Sequence, residues 1–217
     1  MRKHLADNNR ITIWGRANSV NVQKVLWCLF ELDLPYERID AGMAFGKNTE
    51  AEYLAMNPNG RVPTLVEGDF VLWESNSVMR YLSMAHRPGT PIYPQAPQQR
   101  AGVDRWLDWT LSTVQPVDRP VFWAMVRTPA AQRDMVAIQK DVDAEAVVWK
   151  IADERLSGHR YFEGDQFTLA DIAVGAFARR WFGVDGVSKP KFSHLGRWFA
   201  EISARPGFQK FIAPPMT

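Results

Sequence analysis

Two patterns of apolar and polar positions divide the chain near residue 88. Before that point, short runs alternate apolar with polar residues, as half-buried strands do, and stretches of helical period separate them. After it, the alternation is almost absent and apolar residues recur at helical spacing. The pattern predicts an α/β domain followed by an all-α domain.

The first part predicts the element order βαβ followed by αββα. Residues 10–14 alternate as a strand, and the apolar residues of the next helix recur at spacings of three and four, so that they share one face. That face is formed by Val22, Val25, Leu26, Leu29 and Phe30. The other expected elements are a strand at 35–40, a weak helix at 49–56, a hairpin of strands 63–66 and 70–73 that turns at Gly68, and a helix at 75–85.

A proline-rich stretch separates the two parts. Residues 88–97 contain four prolines, which remove amide donors and disfavour helix, so we interpret them as a linker between domains at 10–87 and 98–217. Pro116 and Pro120 predict a kink or break in the first helix of the second domain. The helices expected there lie at 98–123, 130–156, 169–181, 192–204 and 207–211.

Thr168 and Asp171 form a capping-box motif at the start of one of these helices. The Thr168 hydroxyl can accept a hydrogen bond from the amide three residues on, and the Asp171 carboxylate can reach back to the Thr168 amide. We interpret the motif as a structural helix start.

Composition and charge exclude several classes of protein. The 217 residues are 46% hydrophobic and include nine Trp and twelve Phe, too many for a disordered chain. Lys and Arg total 26 against 24 Asp and Glu, and no basic block occurs, so we expect no nucleic-acid partner. No run of about 18 apolar residues occurs and residues 1–10 are polar, so we expect neither a membrane span nor export.

Cys28 is the single cysteine of the sequence. One cysteine excludes an intrachain disulfide framework, a cysteine-rich zinc site and a redox pair of the CxxC type. The sequence therefore predicts a cytoplasmic protein without a metal.

The junction between the first strand and the first helix carries the first candidate chemistry. A helix N-terminus has unpaired amides and a partial positive charge, so a hydroxyl or amide side chain there can hold an anion such as a thiolate. The candidates are Asn18, Ser19 and Asn21. The alternative is that Asn18 or Ser19 only caps the helix.

Arg61, Val62 and Pro63 form a second candidate segment, at the start of a strand. The proline has no amide to offer, and a cis bond before it would turn the amide and carbonyl of the preceding residue outward. A peptide-like ligand can pair with such an exposed peptide unit. The alternative is an ordinary trans proline, which is the commoner isomer.

Glu74 and Ser75 form a third candidate segment, where the hairpin ends and a helix begins. A carboxylate can hold an ammonium there, while the hydroxyl and the helix amides hold a carboxylate. That pair of groups is the head of an amino acid. The alternative is that Ser75 caps the helix and Glu74 complements its dipole.

A thiol site, an exposed peptide edge and an amino-acid clamp together describe a small thiol peptide, and glutathione fits that description. At these residues the sequence resembles the glutathione transferase family. The most specific motif is residues 57–65 followed by Glu74-Ser75, and residues 164–172 and 205–208 support it. The resemblance implies a thioredoxin-like N-terminal domain, an all-helical C-terminal domain, a homodimer and glutathione as co-substrate.

The resemblance also implies roles for individual residues. Ser19 matches the serine that activates the thiol in theta-like and zeta-like members, and Asn18 and Asn21 lie close enough to replace or assist it. Val62 matches the residue whose backbone pairs with the cysteinyl unit of glutathione, and Pro63 matches the family's cis proline.

Further positions match the rest of the tripeptide site. Glu74 and Ser75 match the γ-glutamyl clamp, Arg61 matches a frequent partner of the glycyl carboxylate, and Lys47 is a second candidate for that role. Asp104 resembles the acidic residue that reaches the γ-glutamyl amine across the dimer interface in related members. The alternative for Asp104 is an ordinary surface carboxylate.

The implied activity is stabilisation of the glutathione thiolate and its addition to a small-molecule electrophile held by the long helices. Aromatic residues at helical spacing are candidates for that second site, although the same pattern also fills cores. They are Trp106, Trp109, Phe122 and Trp123. The alternatives are a transferase-like binding or scaffold protein without turnover, and a glutathione-dependent disulfide reductase or peroxidase.

Overall fold

The computed structural model describes residues 10–217, and the contacts within the chain divide it between Arg87 and Pro88. The elements of the first unit follow the predicted order. They are β1 (Ile11–Trp14), α1 (Val20–Glu31), β2 (Tyr36–Ile39), α2 (Ala51–Met56), β3 (Thr64–Glu67), β4 (Phe70–Trp73) and α3 (Ser75–His86). A 3₁₀ turn at Met43–Phe45 precedes α2, and the sequence pattern does not predict it.

The strands form one mixed sheet in the order β2-β1-β3-β4. β1 pairs in parallel with β2 and antiparallel with β3, and β3 and β4 form the hairpin predicted around Gly68. In the register of the sheet, Trp14 lies opposite Thr64, and Thr64 lies opposite Trp73. The segments that follow β1, precede β3 and follow β4 therefore emerge at the same end of the sheet.

Helices α1 and α3 pack against each other in the first unit. The predicted apolar face of α1 is buried at Val22, Leu26 and Leu29, whereas Phe30 is 40% exposed. Phe30 lies about 80° around the helix from Val22, at the edge of the apolar stripe, because successive residues advance by about 100°. Phe30 therefore marks the exposed edge of the predicted face.

The second unit is helical, so the predicted sequence of an α/β part and an all-α part is confirmed. Its helices are α4 (Pro97–Trp109), α5 (Gln115–Phe122), α6 (Met135–Leu156), α7 (Leu169–Gly183), α8 (Ser193–Ser203) and α9 (Pro206–Phe211). Two π-helical turns, at Thr110–Val114 and Trp123–Arg127, flank α5. Pro116 lies in the first turn of α5 and Pro120 lies inside it, and a proline removes a helical hydrogen bond. The α-helical pattern is thus interrupted on both sides of these prolines, while the predicted kink or break at Pro116 and Pro120 stays a prediction.

The start of α6 differs from the prediction. The sequence pattern places it at residue 130, but residues 130–132 form a 3₁₀ turn and α6 begins at Met135. The carboxylate of Asp134 accepts hydrogen bonds of 3.1 Å from the amides of Val136 and Ala137. This cap fixes the helix start, because it satisfies donors that have no partner within the helix.

The predicted capping box of α7 is confirmed, with both of its hydrogen bonds present at Thr168 and Asp171. Asp171 is fully buried, and besides the Thr168 amide its carboxylate accepts from the Phe162 amide at 3.1 Å and from the Trp198 indole at 2.8 Å. The motif thus joins α7, α8 and the loop before α7. No helix within residues 10–217 has the length and apolarity that crossing a membrane requires.

Candidate active site

Ser19 lies immediately before the first turn of α1 and is 7% exposed. It occupies the N-cap position with an extended backbone, but its side chain makes no capping hydrogen bond to the helix. The alternative for Ser19 is that its hydroxyl only caps the helix. The hydrogen bond to a helix amide that defines such a cap is not made by this side chain. The hydroxyl stands beside the amides of a helix N-terminus, where an anion is stabilised.

The two asparagines beside Ser19 differ in their surroundings. Asn18 is exposed in the turn before the helix, whereas Asn21 is half-buried in the first turn of α1. The amide oxygen of Asn21 accepts a hydrogen bond of 3.3 Å from the hydroxyl of Ser75. Asn21 therefore connects the start of α1 to the start of α3.

The loop that leads into β3 is held by a buried polar cluster. The Tyr53 hydroxyl and the Asn57 amide donate to the carbonyl of Arg61 at 2.6 and 2.9 Å, and both also contact the hydroxyl of Thr64. The Val62–Pro63 bond that follows is cis, as predicted. These contacts fix the Arg61–Val62 peptide unit, directly before the cis bond.

Tyr53, Asn57 and Thr64 are residues whose supporting role the sequence reasoning missed. Burial raises the pKa of Tyr53 above its ordinary value, against the opposing effect of its hydrogen bonds to Thr64 and Asn57, so its hydroxyl stays a proton donor at neutral pH. The Asn-Pro-Asn-Gly run that begins at Asn57 is the signal that predicts such a turn.

The loop after β1 lies directly against the loop before β3. Gly15 has a backbone φ of +156°, and a Cβ built there would lie 3.2 Å from Cβ of Val62 and in steric conflict with Val22. The close approach requires a residue without a side chain at this position. It brings the loop that leads from β1 to Ser19 next to Val62 at the position of Gly15.

Glu74 and Ser75 begin α3 at the same end of the sheet. Glu74 is exposed, takes the N-cap position and has a φ of +70°, a left-handed conformation that non-glycine residues rarely adopt. Its side chain makes no capping hydrogen bond to the helix. Ser75 is 2% exposed and donates to Asn21. Strained backbone of this kind concentrates at functional sites.

The two basic candidates lie in neighbouring loops. Arg61 is exposed beside the cis bond, and Lys47 has a φ of +64° with its ammonium 6.0 Å from the ring centroid of Trp14. Trp14 ends β1 and packs edge-on against Tyr53. Both cations therefore belong to the end of the sheet that carries Ser19 and Glu74.

Within the second unit, the candidate aromatic residues differ in exposure. Trp106 is 6% exposed and its indole donates to Glu163 at 2.6 Å, and Trp109 packs edge-on against Trp106. Phe122 is 4% exposed, whereas Trp123 is 44% exposed. Trp106 and Phe122 are core residues of the unit, and Trp123 offers the most surface to a ligand.

Asp104 lies on α4 and accepts hydrogen bonds from the Tyr93 hydroxyl at 3.0 and 3.1 Å. The contact orients the carboxylate within its own unit. Among the described residues, no group of three or more His, Cys, Asp or Glu side chains is arranged to hold a metal ion.

Comparison with known proteins identifies the family. Residues 9–84 match the sequence model of the glutathione S-transferase N-terminal domain, and residues 116–206 match that of the C-terminal domain. The glutathione S-transferase GstB of Escherichia coli is 40% identical over 209 residues, which is 95% of this chain and 100% of that protein. The chain belongs to the glutathione S-transferase family. The thioredoxin-like fold predicted for its first domain is thereby confirmed.

Two further comparisons cover nearly the whole transferase. The crystal structure of a theta class glutathione S-transferase from Xanthomonas axonopodis pv. citri, with glutathione bound, is 44% identical, with a TM-score of 0.90 over 96% of this chain and 100% of that one. Glutathione S-transferase 3 of Zea mays is 29% identical and covers 94% of this chain and 93% of its own.

Proposed function

We propose that this transferase binds glutathione at the end of the sheet where α1 and α3 begin, stabilises its thiolate there and adds it to an electrophile. The single observation that carries this proposal is Ser19, whose side chain lies at a helix N-terminus and makes no capping bond. Its hydroxyl can donate to sulfur. The related theta class structure that binds glutathione supports the choice of thiol.

The energetic requirement is modest. A free thiol with a pKa near about 8.5 is only a few per cent ionised at about pH 7, and lowering that pKa by about 2 takes about 2.7 kcal/mol of preferential anion binding. A hydrogen bond to a charged acceptor contributes about 1.5 to 3 kcal/mol, and a helix N-terminus adds about 0.3 to 1. Ser19 and the first amides of α1 are therefore sufficient.

The remaining parts of the tripeptide match the other two segments. The exposed carboxylate of Glu74 can hold the γ-glutamyl ammonium, while the first backbone amides of α3, that of Ser75 among them, can hold its carboxylate. The backbone of Val62 can pair with the cysteinyl unit. Arg61 and Lys47 can hold the glycyl carboxylate.

The bond changes follow from the thiolate. The sulfur electron pair attacks the electrophilic atom and forms a thioether, and the leaving group departs with the electrons of the bond that breaks. The thiol proton has already gone to solvent, so Ser19 acts as a hydrogen-bond donor and no side chain has to remove a proton. Of the aromatic candidates for the second substrate, Trp123 is the one that its exposure favours.

A reductase that uses the protein's own thiol is disfavoured by the surroundings of Cys28. This side chain is fully buried, and burial raises the pKa of its thiol to about 12. A neutral, buried thiol is a poor nucleophile. Reduction through bound glutathione is distinguished from conjugation by assaying a mixed disulfide beside a panel of electrophiles.

Ser19→Ala tests the proposed thiolate donor. We expect turnover with a model electrophile to fall about tenfold to a thousandfold, and the pKa in the pH–rate profile to rise toward that of the free thiol, because one donor to the anion is gone. Asn18→Ala and Asn21→Ala test the two neighbouring amides separately, since each is a candidate to replace or assist Ser19. Parental rates and an unchanged pH–rate profile in Ser19→Ala would remove Ser19 from this role.

The homodimer and the cytoplasmic location predicted from the sequence remain predictions, as does the role of Asp104 across a dimer interface. Light scattering tests the dimer. Turnover absent across a broad electrophile panel, together with retention on immobilised glutathione, would favour a binding protein over an enzyme.

A further inference from the structure

A buried lysine joins the first helix of the α/β unit to the third. Lys24 has no solvent exposure, and its Nζ donates a hydrogen bond of 2.9 Å to Oδ1 of Asn76. Asn76 is 1% exposed and is the second residue of α3. A lysine carries three N–H donors and no acceptor, so its burial requires acceptors held in fixed positions. This contact therefore ties the body of α1 to the first turn of α3.

The contact of Lys24 is the middle one of three side-chain contacts between α1 and α3. Toward the helix starts, Ser75 Oγ donates to Asn21 Oδ1 at 3.3 Å. In the opposite direction, Sγ of Cys28 lies 4.0 Å from the carbonyl oxygen of Met79. The three α1 residues are spaced by three and four positions, so they share one face of the helix. Along the interface, the Lys24–Asn76 contact lies between the contact at the helix starts and the contact of Cys28.

These three contacts affect ligand binding because residues from both helices would hold the same ligand. In the proposed function, Ser19 at the start of α1 holds the sulfur, while Glu74 and Ser75 at the start of α3 hold the γ-glutamyl head. The thiol and the γ-glutamyl head of the tripeptide engage together only if these helix starts keep a fixed separation. A misplacement of about 1 Å from a change away from the reacting atoms can cost about a hundredfold in rate.

We propose that Lys24 is a positioning residue for glutathione. By holding Asn76, it fixes the start of α3 relative to the start of α1, so that the γ-glutamyl clamp and the thiol donor engage the same tripeptide. The inference rests on the proposed function of the site. It places the effect of Lys24 on glutathione affinity and on sulfur alignment, beyond any contribution to stability.

Lys24→Met is the direct test, because it removes the donor and keeps most of the side-chain length. We expect KM for glutathione to rise about tenfold or more. We also expect the pKa in the pH–rate profile to rise, because the sulfur no longer lies in register with Ser19. Lys24→Arg keeps a donor at the end of a long side chain and should recover part of both losses.

Asn76→Ala removes the same hydrogen bond from its other side and should shift KM and the pH–rate profile in the same direction. This variant decides the question if Lys24→Met does not fold. Cys28→Ala is the matched control, since it alters the next contact of the same interface. We expect it to lower Tm while KM for glutathione and the pH–rate profile stay at the parental values.

Parental KM and an unchanged pH–rate profile in folded Asn76→Ala, with only Tm lowered, would overturn the proposal and leave Lys24 as a structural residue. Calorimetric titration of the parent with glutathione separates the two possible failures. A parent that does not bind glutathione overturns the proposed function and this inference together. A parent that binds, with variants that bind equally well, overturns the inference alone.

Discussion

Glu145 is a buried glutamate of the helical unit, with 2% of its surface exposed. Its burial predicts how the free energy of unfolding changes with pH. The pKa of its carboxyl is raised from the ordinary 4.5 to about 8, chiefly by burial and next by the charge of Asp118. The Trp149 indole, which donates to it at 2.8 Å, and the cations Lys189 and Arg180 oppose that rise. Glu145 is therefore protonated in the folded protein at neutral pH.

The sign of the effect follows from which state binds the proton. The unfolded chain releases the Glu145 proton near pH 4.5, and the folded protein keeps it to about pH 8. The contribution of Glu145 to stability is therefore fully present below the unfolded-state pKa of 4.5, and it is lost as pH rises through the folded-state pKa of about 8. Each pH unit in this window lowers the free energy of unfolding by about 1.4 kcal/mol, so the change from about pH 6.5 to about pH 8 amounts to about 2 kcal/mol.

Glu145→Gln removes the titrating group and keeps an acceptor for Trp149. Urea unfolding followed by tryptophan fluorescence, at one protein concentration and several pH values, should show a flatter pH dependence for this variant than for the parent by about 2 kcal/mol. The pKa of Asp118 is raised to about 6, mainly by burial, so its own proton linkage lies largely below this window.

Glu154→Gln is the control, because this glutamate lies on the same helix with 66% of its side chain exposed. It should keep the parental slope. Stability curves for Glu145→Gln and the parent that run parallel from about pH 6.5 to about pH 8 would refute the reasoning, since they would mean that Glu145 is already ionised in the fold.

Two further predictions concern the site and the helical core. Glu74→Gln should weaken glutathione binding about tenfold or more in a calorimetric titration, because the carboxylate proposed to hold the ammonium is lost, and affinity equal to that of the parent would exclude Glu74 from the clamp. Asp171→Ala should lower the free energy of unfolding by about 3 kcal/mol or more, because it leaves the buried Phe162 amide and Trp198 indole without their acceptor. A urea midpoint within error of the parental value would contradict that expectation.

Local patterns predict the fold well where the signal is confined to neighbouring residues. The alternation at 10–14, the turn at Gly68 and the capping box at Thr168 all reappear in the structure, since each depends on residues only a few positions apart. The late start of α6 escaped prediction because one side chain, Asp134, decides it against a favourable helical pattern.

The candidate site could be predicted only in part. Ser19 and Glu74 carry recognisable chemistry at helix starts, so their segments stand out in the sequence. From the sequence alone, Lys24 resembles an ordinary surface lysine, because its partner Asn76 lies 52 positions away along the chain. The polar cluster around Tyr53 and Asn57 was missed for the same reason, since the sequence does not show which carbonyl their side chains reach.

The π turns on either side of α5 have a consequence for how an inserted or deleted residue would change the faces of this part of the chain. Each accommodates one residue more than an α-helical turn, and an added residue rotates everything beyond it by about 100° about the axis. Because of these two rotations, the apolar face of α5 does not simply continue that of α4, although the two helices follow each other along the chain. Gain or loss of a single residue at 110–114 would therefore rotate the side chains of α5, and of Trp123 directly after it, relative to α4.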